Sequence, residues 1–304
     1  MINLFSKINF DPISNFDHYL HGSVVRQYEE EFADYVGAKY ACAANSESSL
    51  IFILFNKSYA KFKLPSVLPP VVANAIINGG NTIRFVDNVD WIGKDYEIYE
   101  NIFDSAQRVD QNQYLEHPNS IMLFSNYPTK PVGGIDGGII VSNDKSLIDN
   151  IRCIIYNGMD NTKESWNRTQ KYFGWKMYMS SVQAHVALHS LNQLPIKKEK
   201  LDYIRTKYND AFSLHNTSDH LYRVKVKNNI EALNNLKNVG ICCGIHYKPL
   251  HTLFPFNSCS SISFTDLSLS EEVGITMLSI PFHEDLDDNM IEIVINEVSP
   301  YIET

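Results

Sequence analysis

The sequence predicts an α/β protein, with a mainly parallel β-sheet flanked by helices in a large domain and a smaller α+β domain at the C-terminus. Two observations support this prediction. Over residues 24–86, short apolar runs of strand length alternate with runs of helical periodicity, which is typical of a parallel sheet wound with helices. Beyond residue 216 the strand and helix segments become shorter. We therefore expect a large domain over residues 1–210 and a small domain over residues 211–304.

The first helix is expected at residues 24–36. Its apolar residues from Val25 to Tyr35 recur at spacings of 3, 4 and 3, which places them on one helix face, and Gly37 is suited to end the helix. Further strands and helices then alternate along the chain. We expect strands at 39–44, 67–68 and 82–86, with helices at 50–55 and 71–78.

Helical periodicity dominates again from residue 146. Two long periodic runs, 183–194 and 197–214, are interrupted near Pro195, where a helix would lose a backbone hydrogen bond. The C-terminal region contains one alternating segment and two helical ones. We expect a strand at 222–226 and helices at 230–236 and 287–298.

Composition bounds the function classes. The 304 residues are 44% hydrophobic and 20% charged, as in an ordinary globular protein. A net charge of -9 argues against nucleic acid or an anionic membrane as the main partner. No stretch approaches the roughly 20 apolar residues of a membrane span, and the N-terminus does not resemble a signal peptide. The five scattered cysteines fit neither a zinc site nor a disulfide framework, so we expect reduced thiols in a cytoplasmic protein.

Lys130 is the most informative single residue. It lies in a polar turn between two apolar runs, where a charged amine is costly to bury unless the amine acts as a nucleophile or forms an imine. Asp104 ends another apolar run. Taken alone, such a lysine is most often a solvated surface residue, and such an aspartate is most often a turn residue or helix cap. Together they are the minimum equipment for pyridoxal phosphate chemistry, because one forms an imine and the other pairs with a pyridinium nitrogen.

Two further patterns agree with a phosphate-bearing cofactor. Residues 45–49 are polar and lie between a predicted strand and a predicted helix, where helix amides and hydroxyls can bind a phosphate. Ser125 precedes Lys130 by five residues, close enough to reach the same phosphate. Glycines after the lysine allow a tight bend there: Gly133, Gly134, Gly137 and Gly138.

At these positions the sequence resembles the DegT/StrS-type nucleotide-sugar aminotransferases, a family of fold type I pyridoxal phosphate enzymes. The lysine segment and the polar residues before the second helix carry the resemblance. Weaker matches follow in the family's order at residues 32–37, 86–90, 136–144, 246–251 and 278–283. The resemblance implies a fold type I aminotransferase architecture for the large domain.

The resemblance also implies a role for each matching residue. Lys130 would form the imine with pyridoxal 5'-phosphate and later move protons, and Asp104 would keep the pyridine nitrogen protonated. Gln107 would lie against the cofactor near its phenolic oxygen. The serines that would bind the phosphate are Ser48, Ser49 and Ser125.

The reaction implied is transfer of an amino group, usually from glutamate, to a keto group of a nucleotide-linked sugar. A minority of relatives remove a sugar hydroxyl instead, but they replace the lysine with histidine, so Lys130 favours transamination. The family completes its site across a twofold interface, which implies a homodimer with Lys176 near the partner's phosphate. Substrate contacts are expected from Tyr127, Tyr247 and His251.

Several departures from the family pattern favour an alternative, a catalytically silent homologue that serves in binding or assembly. Glu47 replaces a threonine and would be unwelcome beside a phosphate unless it turned outward. Lys176 and Tyr178 replace an asparagine and an arginine. The usual ring-stacking aromatic is not evident, and Trp91 is expected only to pack. Only 16 residues separate Asp87 from Asp104, which predicts the loss of one strand. We expect no metal, since the spacing of the histidines His246, His251 and His283 fits no compact site.

Overall fold

A five-stranded mixed sheet forms the centre of the protein in the computed structural model, which describes residues 1–7, 17–160 and 165–303. In spatial order its strands are β1 (Tyr40–Ala44), β7 (Gly138–Ser142), β6 (Ile121–Ser125), β5 (Ile102–Asp104) and β4 (Tyr96–Tyr99). Within this sheet only β5 and β6 are parallel neighbours, and the other adjacent pairs are antiparallel. Strands β1, β5 and β6 therefore share one direction, while β7 and β4 run the opposite way, so this sheet is less uniformly parallel than predicted.

Two smaller sheets complete the described strands. The first is parallel throughout and contains β2 (Lys61–Pro65), β3 (Thr82–Val86) and β9 (Ile262–Ser263). The second pairs β8 (Tyr222–Lys225) with β10 (Met277–Ile280) in antiparallel register. The small C-terminal region thus contains the α+β arrangement that the sequence predicts.

Helices cover the sheets. Gly37 adopts φ +81° after the first helix, a conformation that glycine takes without strain, so the predicted helix end is confirmed. Among the described residues, no helix combines the length and the apolar composition needed to cross a membrane. The helices are α1 (Ser23–Val36), α2 (Glu47–Phe55), α3 (Pro70–Asn78), α4 (Lys145–Ile155), α5 (Ser181–Phe212), α6 (Asn229–Asn238), α7 (Ser268–Thr276) and α8 (Asp288–Val298).

The central sheet separates two hydrophobic cores. Cys42 and Ala44 of β1 face the core that contains α2, α3 and α4, whereas Ala41 and Ala43 face the core shared with α1 and the first half of α5. Because both faces are covered, the central strands are apolar at successive positions. A third core joins the second half of α5, from Leu201 onward, to β8, β10 and α8. The predicted domain boundary at residue 210 therefore falls within α5.

Two sequence predictions about element positions are wrong. Pro195 does not interrupt the helical region, because α5 continues through it with leucines packed in a core on either side, including Leu194 and Leu201. The strand predicted at residues 67–68 lies upstream, at β2. Val67 makes only an isolated bridge to Pro249. In α5, burial of the apolar side chains before and after Pro195 outweighs the backbone hydrogen bond that is lost at this proline.

The short segment before Asp104 forms one edge strand. Residues 88–103 contain β4. After β4 the chain turns at Asn101 (φ +59°) and continues into β5, which pairs antiparallel with β4. Strand β4 ends the hydrogen-bonded order of the central sheet, and β2 and β3 belong to a separate sheet. The short segment between Asp87 and Asp104 thus places Tyr96 of β4 beside Asp104.

One buried ion pair links three elements of the large domain. Arg152 of α4 donates from Nη1 to both carboxylate oxygens of Glu29 in α1, at 2.7 and 2.8 Å. Glu29 also accepts from the backbone N–H of Ala43 at 2.8 Å, and Arg152 Nη2 donates to the carbonyl of Ala41 at 2.7 Å. Both side chains are buried, so this pair fixes α1 and α4 against β1.

Candidate active site

A cavity of about 520 Å³ opens where β5 and β6 end and α2 begins. Its size is in the range that small-molecule sites occupy. Lys130 and Asp104, which were predicted from the sequence, both line it, and they are 9% and 3% exposed. The structure therefore brings the predicted amine and acid into one enclosed site.

The loop that carries Lys130 is held by side-chain and backbone hydrogen bonds. Buried Asn126 donates from Nδ2 to the hydroxyl of Tyr28 at 2.8 Å and to the carbonyl of Val132 at 3.0 Å. The N–H of Lys130 donates to the carbonyl of Tyr127 at 2.9 Å, forming a tight turn. Lys130 is therefore fixed at its backbone, and its side chain reaches into the cavity.

Gly138 allows β7 to pass close to the start of α2. A Cβ atom at this position would lie 2.3 Å from the backbone nitrogen of Glu47 and 2.5 Å from its Cα. Any side chain would push the strand and the helix apart, since real Cβ atoms do not approach backbone that closely. The glycine predicted to ease a bend thus also sets the position of the first turn of α2.

Asp104 accepts two hydrogen bonds within the protein. The hydroxyl of Tyr96 donates to its Oδ2 at 2.7 Å, and the N–H of Ala106 donates to its Oδ1 at 2.9 Å. Burial raises the pKa of Tyr96 well above its usual value, and the charge of Asp104 adds to the shift. Tyr96 therefore stays a proton donor and orients the carboxylate.

Glu47 turns inward, contrary to what a phosphate site would favour. It is the first residue of α2, is 7% exposed and lines the cavity with Asp104 and Lys130. Its Oε1 is buried and has no hydrogen-bond partner in the described part of the chain. Burial raises the pKa of the Glu47 carboxyl well above its usual value, and nearby Asp104 raises it further, while Lys130 acts in the opposite direction.

Burial of Lys130 favours a neutral amine. Burial lowers the pKa of the Lys130 amine, although the carboxylates of Glu47 and Asp104 oppose that shift. Two histidines on the cavity wall are also kept neutral. Burial lowers the pKa of His220 well below its usual value and lowers the pKa of His246 to about 4, and the charge of Lys130 contributes to both shifts. A neutral lysine amine is the nucleophilic form.

The hydroxyls at the start of α2 form a small network. Ser46 caps the helix by accepting from the N–H of Ser49 at 3.2 Å, and its hydroxyl is 3.1 Å from that of Ser48. Ser49 donates to Oδ1 of Asn45 at 2.8 Å. Ser48 and Ser125 line the cavity, while Ser49 lines an adjacent surface groove instead.

Aromatic side chains and Gln107 form the wall opposite the serines. Gln107 is buried, accepts from the N–H of Gly93 at 3.0 Å and donates to the hydroxyl of Tyr247 at 3.4 Å. Trp91 also lines the cavity, with its ring within 5° of parallel to that of Tyr247 at a centroid distance of 6.3 Å. Tyr127 lines the opening and is exposed. Trp91 therefore supplies an aromatic side chain at the cavity wall, which was not predicted from the sequence.

Besides Ser49, two further predicted site residues lie outside the cavity lining. His251 is buried and hydrogen-bonded to Ser66 Oγ at 2.6 Å and to Glu271 Oε1 at 3.1 Å, so it links the end of β2 to α7. Lys176 is exposed beside the start of α2, where the carbonyl of its neighbour Met177 accepts from the N–H of Asn45 at 2.7 Å.

The cavity fits pyridoxal phosphate in most of its contacts. A buried amine for the aldehyde, a buried carboxylate for the ring nitrogen, an aromatic wall and a hydroxyl-rich helix start surround the same space. The inward Glu47 is the feature that does not match, because an ionised carboxylate there would repel a phosphate. The residues that would hold the cofactor are Lys130, Asp104, Gln107, Ser48 and Ser125.

Comparison with known proteins supports this assignment. UDP-4-amino-4,6-dideoxy-N-acetyl-beta-L-altrosamine transaminase from Campylobacter jejuni is 23% identical over 327 aligned positions, covering 88% of this chain and 86% of that protein. Because the alignment is longer than the chain of 304 residues, it contains gaps in this chain.

Solved structures share the fold. Helicobacter pylori PseC, an aminotransferase involved in the biosynthesis of pseudoaminic acid, matches with a TM-score of 0.82 at 18% identity, covering 98% of both chains. The sugar aminotransferase CalS13 from Micromonospora echinospora matches with a TM-score of 0.81 at 15% identity, covering 99% of this chain and 100% of that one. The predicted fold class, a fold type I aminotransferase architecture, is confirmed.

The sequence itself identifies the family. The model of the DegT/DnrJ/EryC1/StrS aminotransferase family matches residues 79–299, which is more than half of the chain and includes Asp104 and Lys130. The predicted enzyme class is therefore confirmed, and the chain belongs to the DegT/DnrJ/EryC1/StrS family of pyridoxal phosphate-dependent aminotransferases.

Proposed function

We propose that the protein transfers an amino group, with glutamate as the donor, to a keto group of a nucleotide-linked sugar, using pyridoxal phosphate bound at Lys130. The observation that carries this proposal is the buried Lys130 amine in the same cavity as the buried Asp104 carboxylate. The sugar-nucleotide substrate named for the Campylobacter relative supports the substrate class.

Each residue of the cavity has a defined task in this proposal. When bound, pyridoxal phosphate supplies an aldehyde for the amino group and a ring that withdraws electrons from the carbon that loses a proton. Lys130 would hold the cofactor through its Nζ, and the same atom would carry the proton that is moved. Asp104, oriented by Tyr96, would pair with the ring nitrogen. Ser48 and Ser125 donate to the phosphate, and Trp91 excludes water from one side.

Cofactor attachment is the first test. The purified protein with added cofactor should absorb in the visible region, and borohydride should fix the cofactor covalently to Lys130. The variant Lys130→Ala should lose both signals, whereas Lys248→Ala, which changes an exposed lysine beside Tyr247, should keep them. A folded protein that shows neither signal would favour the alternative hypothesis of a catalytically silent homologue. The inward Glu47 also favours that alternative.

Amino transfer is the second test. Glutamate should shift the visible absorbance of the bound cofactor to that of the amine form, and a nucleotide-linked keto-sugar should restore it. Aspartate and alanine serve as comparison donors. If the cofactor binds but no amino donor shifts the absorbance, the transfer reaction is excluded while the cofactor site stands.

We also propose a homodimer. The segment around Lys176 lies beside the hydroxyl-rich start of α2 and is flanked by large exposed side chains, including Phe173 at 99% exposed and Tyr172. A second copy on this face would bury them and bring its own Lys176 close to the start of α2 in the first copy. Light scattering at micromolar concentration tests this, and a fully active monomer would contradict it.

A further inference from the structure

Glu47 is a buried acid that the proposed reaction does not use. Its side chain is 7% exposed and lines the cavity, and its buried Oε1 has no hydrogen-bond partner in the described part of the chain. An ionised carboxylate in such a place loses its hydration and gains no donor in return. The neutral acid is therefore the favoured form of Glu47 in the free protein.

The charges around Glu47 lead to the same conclusion. Asp104 faces it from β5 and Lys130 from the loop after β6, and among the described residues Lys130 is the only lysine or arginine on the cavity wall. One amine cannot balance two carboxylates in a buried site. The remaining titratable groups that face Glu47 or line the cavity supply no positive charge near neutral pH: Tyr96, Tyr127, Tyr247, His220, His246 and the exposed Asp136.

The backbone keeps Glu47 in the site. Gly138 of β7 passes so close to its nitrogen and Cα that the first turn of α2 cannot shift towards the sheet. Ser46 fixes the same turn from the other side by capping the helix. The inward position is therefore part of the packing of β7 against α2.

We propose that Glu47 determines which charge the cofactor site accepts: the anionic cofactor binds only when Glu47 carries a proton. This inference rests on the proposed function, because it takes the ligand to be pyridoxal phosphate. Binding then retains or takes up one proton at Glu47. Above the pKa of Glu47, cofactor affinity should fall by up to tenfold for each pH unit, because a proton must first be bound.

The test compares the pH dependence of cofactor binding in the wild type and in Glu47→Gln, which mimics the protonated acid. Dissociation constants for pyridoxal phosphate are measured by equilibrium dialysis between about pH 6 and pH 9, a range that extends to both sides of neutral pH. At the alkaline end Glu47→Gln should bind at least about tenfold more tightly than the wild type, and the difference should shrink as the pH falls. Asp136→Asn, which removes an exposed carboxylate at the same cavity, serves as the control and should not reproduce this change.

A second measurement does not depend on any variant. Calorimetry of cofactor binding to the wild type in two buffers of different ionisation enthalpy should show uptake of about one proton at alkaline pH. Equal pH profiles for the wild type and Glu47→Gln, or binding without proton uptake, would overturn the inference. Absence of cofactor binding to both proteins at every pH would instead overturn the proposed function.

Discussion

Glu29 and Glu47 are both buried glutamates in the large domain, but their surroundings differ. Glu29 receives two hydrogen bonds from Arg152 and one from the backbone of Ala43. Glu47 has an oxygen without a partner and lies beside a second acid, Asp104. The first carboxylate is satisfied by the fold, whereas the second lacks a donor within it. Buried acids whose pKa is shifted by burial and by a neighbouring acid concentrate at functional sites. Substitutions in the two regions should therefore have different effects.

The largest effect is expected at Lys130. The variant Lys130→Ala should lower kcat/KM for amino transfer by about 10⁴-fold, because both the nucleophile and the proton carrier are lost. Its free energy of unfolding without cofactor should not fall, since a buried amine is removed. Steady-state kinetics and urea unfolding measure the two quantities. A variant that transfers amino groups at the wild-type rate would remove Lys130 from the mechanism.

The paired glutamate should show the opposite behaviour. Glu29→Ala should lower the free energy of unfolding by about 3–5 kcal/mol, because Arg152 is left buried without its partner. Glu30→Ala, at the exposed neighbouring position of α1, is the matched control and should change stability by less than about 0.5 kcal/mol. Equal unfolding midpoints for the two variants in urea would show that the ion pair does not hold α1 and α4 together.

Gly138 connects the packing of the fold to the geometry of the site. Gly138→Ala should cost about 1–3 kcal/mol of stability, because its Cβ would collide with the backbone of Glu47. It should also weaken cofactor binding, since the first turn of α2 must move. Urea unfolding and cofactor titration check the two effects, and a variant as stable as the wild type would contradict the close approach.

An effect confined to acidic pH is expected from His246. Its pKa is lowered to about 4 by burial and by the nearby charges of Lys130 and Arg223. The unfolded chain binds a proton near pH 6.5 while the folded chain does not, so the stabilisation is complete above pH 6.5 and decreases as the pH falls towards 4. The loss should reach about 3 kcal/mol. His246→Gln should flatten this part of the stability profile measured by urea unfolding, and an unchanged slope would exclude His246 as its source.

Much of the site could be predicted because its chemistry is carried by residue types at fixed positions. Four predicted residues line the same cavity, because each lies at the end of a strand of the central sheet or in the loop that follows it: Asp104, Gln107, Ser125 and Lys130. The wall residue Trp91 could not be assigned, because its place depends on how the shortened segment folds back.

Other features depend on tertiary contacts that local patterns do not contain. The alternation of residues 96–99 was a visible strand signal for β4, but its pairing with Asp104 required the three-dimensional register. The inward direction of Glu47 follows from the approach of β7 at Gly138. His251 was expected at the substrate, and its links to Ser66 and Glu271 arise from segments far apart in sequence.

Pro195 has a mechanical consequence. It lies within α5 at the point where the helix leaves the core of the large domain, marked by Leu194, and approaches the core that begins at Leu201. Having no N–H, the proline cannot bond to the carbonyl of Leu191, so the helix is least stiff in bending there. The two cores thus share one continuous helix, and its backbone hydrogen bonding is interrupted in the stretch that connects them.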